Sequence, residues 1–86
     1  MEVSYLPQFI KMFNSLPKEL QDEALEKIIL FKNKINHKQL KVHKLNGPLK
    51  DRHSFSVNYK TRIVFKYISK KEAVLLAIGN HNVYKN

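Results

Sequence analysis

The chain contains no cysteine, and this excludes two kinds of small-protein architecture. Without thiols there can be no disulfide framework, and no thiolate is available to bind a metal ion. An 86-residue chain must then be held together by its apolar core, for which a hydrophobic content of 43% is sufficient. The absence of cysteine fits a reducing compartment, and we expect a cytoplasmic protein.

Long apolar runs are absent as well. No stretch of the sequence approaches the roughly 20 apolar residues that a membrane-spanning helix requires. Residues 1–15 have neither the basic start nor the long apolar run of a signal peptide. The sequence also contains no repeat, no low-complexity tract and no linker between domains. We therefore expect one domain over residues 1–86 that does not act at a membrane.

Acidic residues are scarce in one part of the chain only. Residues 1–36 carry five lysines and five acidic residues, so their net charge is zero. Residues 37–86 carry nine lysines and two arginines against Asp51 and Glu72, which accounts for the whole net charge of +9. This half also contains all the histidines: His37, His43, His53 and His81. A neutral half joined to a basic half favours a surface that binds nucleic acid or another polyanion. The alternative is a basic surface that only keeps the protein in solution.

The neutral half predicts a short strand at residues 2–5 and then two helices. Pro7 suits the first turn of a helix, and apolar residues recur at helical spacing through residue 16. Pro17 opens a second, longer helix that is expected to reach about residue 35. Its apolar stripe follows 4-4-3-4 spacing and consists of Leu20, Ala24, Ile28, Phe31 and Ile35. We expect the two helices to form a hairpin that covers a sheet.

The segment from residue 43 to residue 67 predicts two antiparallel strands joined by a polar turn at residues 58–61. Each strand alternates between two faces with a period of two. The apolar face of the pair carries Phe55, Val57, Tyr59, Ile63, Phe65 and Tyr67. The opposite face carries Ser54, Ser56, Arg62, Val64 and Lys66, with His53 expected close by. Such a face, with its cations and hydroxyl groups, can bind a polyanion.

The remaining segments complete the predicted architecture. Residues 36–42 are expected to form an exposed basic connection. Residues 73–78 are apolar on both faces, which is typical of a buried strand rather than an edge. The predicted order is therefore β-α-α-β-β-β. This is a small α+β domain with an antiparallel sheet and a helical hairpin packed on one face.

Three segments, at residues 45–50, 59–65 and 75–84, carry a resemblance to a known superfamily. They read LNGPLK, YKTRIVF and LLAIGNHNVY. In this order and spacing they resemble the RelE/ParE superfamily of bacterial type II toxins, over nearly the whole chain. They look most like the RelE and YafQ branch, whose members cleave mRNA on the ribosome. The resemblance implies a RelE-like fold, an acidic antitoxin as partner, and mRNA in the ribosomal A site as substrate.

The resemblance also implies a mechanism, which is RNA cleavage without a metal ion or other cofactor. In it, a ribose 2′-OH attacks the adjacent phosphate and the 5′-oxygen leaves, so a base, a cation and an acid are needed. Arg62 matches the arginine that contacts the scissile phosphate in RelE. His81 and Tyr84 resemble the C-terminal histidine and aromatic residue of YafQ-like toxins. His43 looks like a further active-site histidine of that branch.

The other basic residues are expected to position RNA rather than to react, because a lysine must be desolvated before it can act as a base. These residues are Lys50, Arg52, His53, Lys60 and Lys66. The strand that carries catalytic lysines in RelE has Ser54 and Ser56 here, so the resemblance does not assign the general base. The alternative is a non-catalytic binder, either a ParE-like gyrase inhibitor or a degenerate toxin that only binds its antitoxin.

A zinc site built from the histidines is not expected. Their separations of 6, 10 and 28 residues match no usual ligand spacing, and no cysteine assists them. A serine hydrolase is excluded as well, because the sequence has no G-x-S-x-G elbow.

Overall fold

The computed structural model describes residues 1–49, 51–80 and 83. Its regular elements are β1 (Glu2–Tyr5), α1 (Pro7–Asn14), α2 (Lys18–Phe31), β2 (His43–Lys44), β3 (His53–Ser56), β4 (Arg62–Ser69) and β5 (Glu72–Gly79). Two short 3₁₀ helices lie at Lys34–Asn36 and Gly47–Leu49. Neither α-helix in this part of the chain has the length and apolar character that crossing a bilayer requires.

The strands form one five-stranded sheet in the order β1-β5-β4-β3-β2. The predicted α+β class is confirmed, because the helices pack against one face of this sheet. The three pairs that involve β2, β3, β4 and β5 are antiparallel, whereas β1 runs parallel to β5, so the sheet is mixed. Parallel pairing is possible for β1 because the two helices supply the long connection that it needs. β5 lies between β1 and β4, as its two-sided apolar sequence predicted.

The prediction that the second helix reaches residue 35 is wrong, because α2 ends at Phe31. Asn33 has an extended backbone, and its side-chain oxygen accepts a hydrogen bond from the backbone N–H of Ile35 at 3.1 Å. The amide side chain thus offers an alternative to helical hydrogen bonds and starts a 3₁₀ turn instead. As a result Ile35 is 82% exposed and does not belong to the buried stripe.

The connection at residues 36–42 is not wholly exposed, contrary to expectation. The side chain of Leu40 is buried, and its backbone carbonyl accepts a hydrogen bond from the N–H of Ser56 at 2.9 Å. The short strand β2 follows and pairs His43 with Ser54. The segment therefore leads into the edge strand of the sheet with Leu40 as a buried anchor, while Lys38, Gln39 and Lys41 remain exposed.

The core between helices and sheet is centred on Phe31. Its ring stacks on Phe55 with a centroid distance of 4.4 Å and meets the edge of Phe65 at 4.7 Å. On another side it stacks on His37 at 4.8 Å, and Nε2 of His37 bonds the carbonyl of Phe31 at 2.8 Å. The other buried members of this cluster are Phe9, Ala24, Ile28, Leu40, Val57, Ile63, Ala73, Leu75 and Ile78.

Replacing Phe31 with alanine is expected to destabilise the protein by about 3–5 kcal/mol, because it removes a fully buried ring and leaves a cavity. A small domain has only about 5–15 kcal/mol in total, so urea unfolding should show a large fall in the midpoint. The matched control is Ile35→Ala, from the same predicted stripe, which should stay within about 0.5 kcal/mol of wild type. Equal losses for the two variants would contradict the observed end of α2.

Candidate anion-binding face of the sheet

We call the face of the sheet that points away from the Phe31 core the open face. Because side chains alternate along a strand, Ile63 and Phe65 point into the core while Arg62 and Val64 lie on the open face. The register brings Arg62 opposite Ser56 on one side and Gly79 on the other. The predicted division of the β4 side chains between two faces is confirmed, and Lys66 lies on the open face too.

Arg62 is half-buried at the start of β4. One guanidinium nitrogen, Nη1, donates to the carbonyl of Asn58 at 2.7 Å and more weakly to that of Thr61 at 3.4 Å. Among the described residues no carboxylate lies within 4.0 Å of this guanidinium. Arg62 is therefore oriented by neutral carbonyl groups rather than by an acidic side chain of the described residues.

His43 lies on β2, at the edge of the sheet. Its Nδ1 is 2.9 Å from the carbonyl oxygen of Lys41, a residue with a left-handed backbone (φ +58°). Since a carbonyl oxygen can only accept, Nδ1 carries the hydrogen, and Nε2 of the neutral ring is left with a lone pair. The lone pair at Nε2 can therefore accept a hydrogen bond.

The separation of His43 and Arg62 follows from the sheet register. His43 pairs with Ser54, Ser54 pairs with Val64, and Arg62 lies two residues before Val64. Two strand spacings of about 4.8 Å and two residues of about 3.3 Å place the Cα atoms about 12 Å apart. Two long side chains extending from such positions can approach one phosphodiester group from two sides.

A groove on the open face lies beside Val64. Its volume is about 260 Å³, and its lining comprises Leu6, Gln8, Arg52, Val64, Leu76, Ala77 and Val83. Close to it, Asp51 forms ion pairs with Lys66 at 3.5 Å and with Arg52 at 3.9 Å. Two cations share this one carboxylate, so the local charge stays positive. Arg52 thus lines the groove, and Lys66 is linked to it through Asp51.

His53 does not lie on the open face, and the expectation that it lies close to the side chains of that face is wrong. Its register partner on β4 is Phe65, so its ring lies on the helix side, 5.5 Å from Phe65 and 4.9 Å from Tyr67. Its Nδ1 is buried without a hydrogen-bond partner. Burial lowers the pKa of His53 below its usual value, and the charges of Lys44 and His43 lower it further. This placement does not support contact of His53 with RNA.

The lowered pKa of His53 predicts a loss of stability in acid. In the unfolded chain the pKa of this ring is 6.5, whereas in the folded protein it is lower. Below pH 6.5 the unfolded state therefore binds more protons, and the free energy of unfolding falls with pH until the folded pKa is passed. Urea unfolding at about pH 7.5 and about pH 5.5 should show a larger loss for wild type than for His53→Phe. An identical loss in both proteins would contradict this role of His53.

The two serines of β3 have different environments. Ser54 is fully buried, so the expectation that both serines are presented to a ligand is wrong for this one. It is paired with Val64, which forms an apolar cluster on the open face with Leu45 and the neighbouring Leu76, Ala77 and Val83. Ser56 is half-buried opposite Arg62. Only Ser56 can therefore meet a ligand at Arg62.

The other predicted residues fall into two groups. Lys60 is exposed in the turn between β3 and β4, with Nζ 5.9 Å from the centre of the Tyr59 ring. Lys50, His81 and Tyr84 lie outside the described residues, so their roles stay predictions. Among the described residues, no three histidine, aspartate or glutamate side chains come close enough to hold a metal ion.

Sequence reasoning missed three residues around Arg62. Asn58 accepts a hydrogen bond from Arg62 at its backbone carbonyl, and its side chain donates to Glu23 at 2.8 Å. Gly79 is its register partner, and a Cβ at Gly79 would lie only 2.7 Å from Cγ1 of Val83. An Asn that opens a polar turn is a recognisable signal for Asn58. No local signal indicates the contact with Glu23, which is 35 residues away in sequence.

No protein-family model matches the chain, and no curated protein matches it. Solved structures match it over nearly its whole length. YafQ from E. coli strain BL21(DE3) is 19% identical, with a TM-score of 0.71 and coverage of 99% of this chain and 98% of that one. The toxin–antitoxin complex RelBE2 from Mycobacterium tuberculosis is 13% identical, with a TM-score of 0.74 and coverage of 93% and 96%. The archaeal RelE–RelB complex from Pyrococcus horikoshii OT3 is 23% identical, with a TM-score of 0.67 and coverage of 92% of each chain.

Proposed function

Because this chain has the fold of the RelE and YafQ toxins, we propose that it is the toxin of a bacterial type II toxin–antitoxin system. In this proposal it is a ribosome-dependent endoribonuclease that cleaves mRNA in the A site. The observation that carries the proposal is the state of Arg62, whose guanidinium is held in place by carbonyl groups and has no carboxylate beside it among the described residues. A preorganised, uncompensated cation is what a developing phosphorane requires.

The proposed reaction needs no metal ion. Nε2 of His43 takes the proton from the ribose 2′-OH, and the 2′-oxygen then attacks the adjacent phosphorus. Arg62 stabilises the additional negative charge on the phosphoryl oxygens. The bond from phosphorus to the 5′-oxygen breaks, and the leaving oxygen receives a proton from His81 or Tyr84. The products are a 2′,3′-cyclic phosphate and a free 5′-OH.

The remaining cations of the open face are proposed to hold the RNA backbone. Lys66 lies four residues after Arg62 on β4, which corresponds to about 13 Å along the strand. Arg52 borders the groove between them, and Lys60 extends from the turn at the other end. Lys50 belongs to the same proposed set. Contacts of this kind fix the register of the RNA without reading its sequence.

The experiment is cleavage of ribosome-bound mRNA with purified protein, followed by mapping of the new 5′ ends. Cleavage should persist in EDTA when the ribosomes are stabilised by other means. The upstream products should carry a 2′,3′-cyclic phosphate or a 3′-phosphate. Upstream products with 3′-hydroxyl ends would contradict the proposed chemistry.

The proposed protein partner is an acidic antitoxin. A net charge of +9, concentrated in residues 37–86, favours a negatively charged segment that orders on binding. Expression of the protein together with its neighbouring genes should yield a tight complex whose affinity falls as salt is raised. Recovery of the protein alone would count against this partner.

One observation favours a non-catalytic binder as the second candidate. The strand β3 presents only Ser56 to a ligand at Arg62, and neither serine can act as a base at neutral pH. A ParE-like gyrase inhibitor would use the same positive face without cleaving RNA, and a degenerate toxin would bind only its antitoxin. Inhibition of gyrase supercoiling in the absence of any mRNA cleavage would select the first of these.

A further inference from the structure

We propose that Asn58 and Glu23 are positioning residues that hold the guanidinium of Arg62 ready for a phosphate without neutralising it. This inference rests on the proposed function, because it gives a catalytic purpose to the orientation of Arg62. It concerns a turn and a helix that lie behind the open face. Neither residue is assigned contact with the RNA.

The first step is the contact between Asn58 and Arg62. The backbone carbonyl of Asn58 accepts a hydrogen bond of 2.7 Å from Nη1, which also approaches the carbonyl of Thr61. Within the described residues no hydrogen bond is made to Nε or Nη2 of the same guanidinium. The edge formed by Nε and Nη2 can bind two oxygens of a phosphate side by side. The turn therefore holds one corner of the guanidinium and leaves a two-pronged edge for the anion.

The second step is the rigidity of that turn. The side-chain oxygen of Asn58 accepts hydrogen bonds from the backbone N–H groups of Lys60 at 2.9 Å and Thr61 at 2.8 Å. The carbonyl of Thr61 in turn accepts from the N–H of Val57 at 2.9 Å. An Asn that closes its own turn in this way fixes the direction of its backbone carbonyl. The same amide side chain thus aims the oxygen that holds Arg62.

The third step is the anchor on α2. The side-chain nitrogen of Asn58 donates to Oε1 of Glu23 at 2.8 Å, in a partly buried contact. This bond ties the turn between β3 and β4 to the helical layer. The carboxylate of Glu23 is thus linked to Arg62 through Asn58, whose side chain carries no charge. A carboxylate in direct contact with Arg62 would orient it equally well but would cancel the charge that the phosphate needs.

The test uses the exchange of donor and acceptor between the two positions. N58D places a carboxylate opposite that of Glu23, and we expect it to lower kcat for mRNA cleavage by about 10–10²-fold, since small misplacements of a catalytic group have effects of this size. E23Q keeps an oxygen that can accept from Asn58, so its kcat should stay within about threefold of wild type. In E23Q/N58D the glutamine amide can donate to the new carboxylate, and kcat should recover most of the loss. KM should change little in all three variants, because the RNA contacts of the open face are retained.

The matched control is N36A. Asn36 is another asparagine whose side-chain nitrogen bonds α2, here at the carbonyl of Leu30 with a distance of 2.9 Å. This contact lies about 10 Å along the axis of α2 from Glu23. This variant should lose stability in urea unfolding to an extent similar to N58D, with kcat unchanged. If N36A lowered kcat as much as N58D does, the effect would be one of stability and the inference would be overturned.

A second readout does not depend on activity. The chain has only two arginines, Arg52 and Arg62, so the guanidinium region of an ¹H–¹⁵N spectrum can be assigned by comparison with R52K. The Arg62 Nη1 hydrogens should show slow rotation and slow exchange in wild type and E23Q, and fast averaging in N58D. If the wild-type protein never cleaves mRNA, the proposed function is wrong. The spectrum then still shows whether Asn58 holds the guanidinium of Arg62 in place. A folded N58D protein with unchanged Arg62 signals and unchanged kcat would overturn the inference alone.

Discussion

Replacement of Arg62 by alanine is expected to lower the rate of mRNA cleavage by a factor of about 10²–10³, the cost typical of removing one preorganised donor to an oxyanion. The phosphorane carries more negative charge than the phosphodiester in the ground state. A fixed guanidinium therefore stabilises the transition state more than it stabilises bound RNA, and the loss should appear in kcat. The fold should persist, because the partners of Arg62 among the described residues are backbone carbonyls of its own turn.

Two further variants sharpen this expectation. Arg62→Lys should recover only part of the activity, because an ammonium group cannot make the two-pronged contact. Lys70→Ala, in the turn between β4 and β5 at the other end of the strand, removes an exposed cation and should leave the rate unchanged. A folded Arg62→Ala protein that cleaves mRNA at a rate near that of wild type would refute the assignment. Circular dichroism and urea unfolding establish that each variant is folded.

Replacement of His43 by alanine is expected to reduce kcat by about 10²–10⁴-fold, the usual contribution of a general base. The bond from Nδ1 to the carbonyl of Lys41 fixes the tautomer, and in the proposed reaction Nε2 receives the proton. His43→Ala should retain its affinity for ribosome-bound mRNA, so the loss should appear in kcat rather than in binding.

The control for His43 is its neighbour on β2. Lys44→Ala removes an exposed cation whose register partner is His53, so the side chain lies away from the open face. We expect kcat of Lys44→Ala for mRNA cleavage to equal that of wild type. An unchanged kcat in His43→Ala would transfer the role of base to another residue.

Much of the fold could be predicted because its main signals are local. Period-two alternation placed Arg62 and Val64 on one face and Phe65 on the other, and the apolar run of β5 indicated a central strand. The end of α2 could not be predicted from its apolar stripe. The side-chain oxygen of Asn33 accepts a hydrogen bond from the N–H of Ile35, and this ends the helix although the apolar spacing continues to Ile35.

The errors in the site have identifiable causes. His53 shares its parity with Phe55, so strict alternation would have placed it on the helix side, where it lies. Ser54 follows the alternation correctly but is covered by a cluster drawn from distant parts of the chain, including Leu45 and Val83. No sequence pattern predicts that residues distant in the chain will bury Ser54. The contact between Glu23 and Asn58 was missed for the same reason, because tertiary packing alone brings the two residues together.

The parallel pairing of β1 with β5 has a consequence for how the protein is made. β5 is the last strand of the described sheet to be synthesised, yet both β1 and β4 need it as their neighbour. The nascent chain must therefore keep β1 unpaired until β5 emerges, and closing so long a loop makes folding slow in comparison with a helical protein of this size. Arg62 receives its partner Gly79 in the same late step. An incomplete chain on its own ribosome thus lacks the finished open face, so the catalytic surface proposed here assembles only after nearly all of the described chain has been translated.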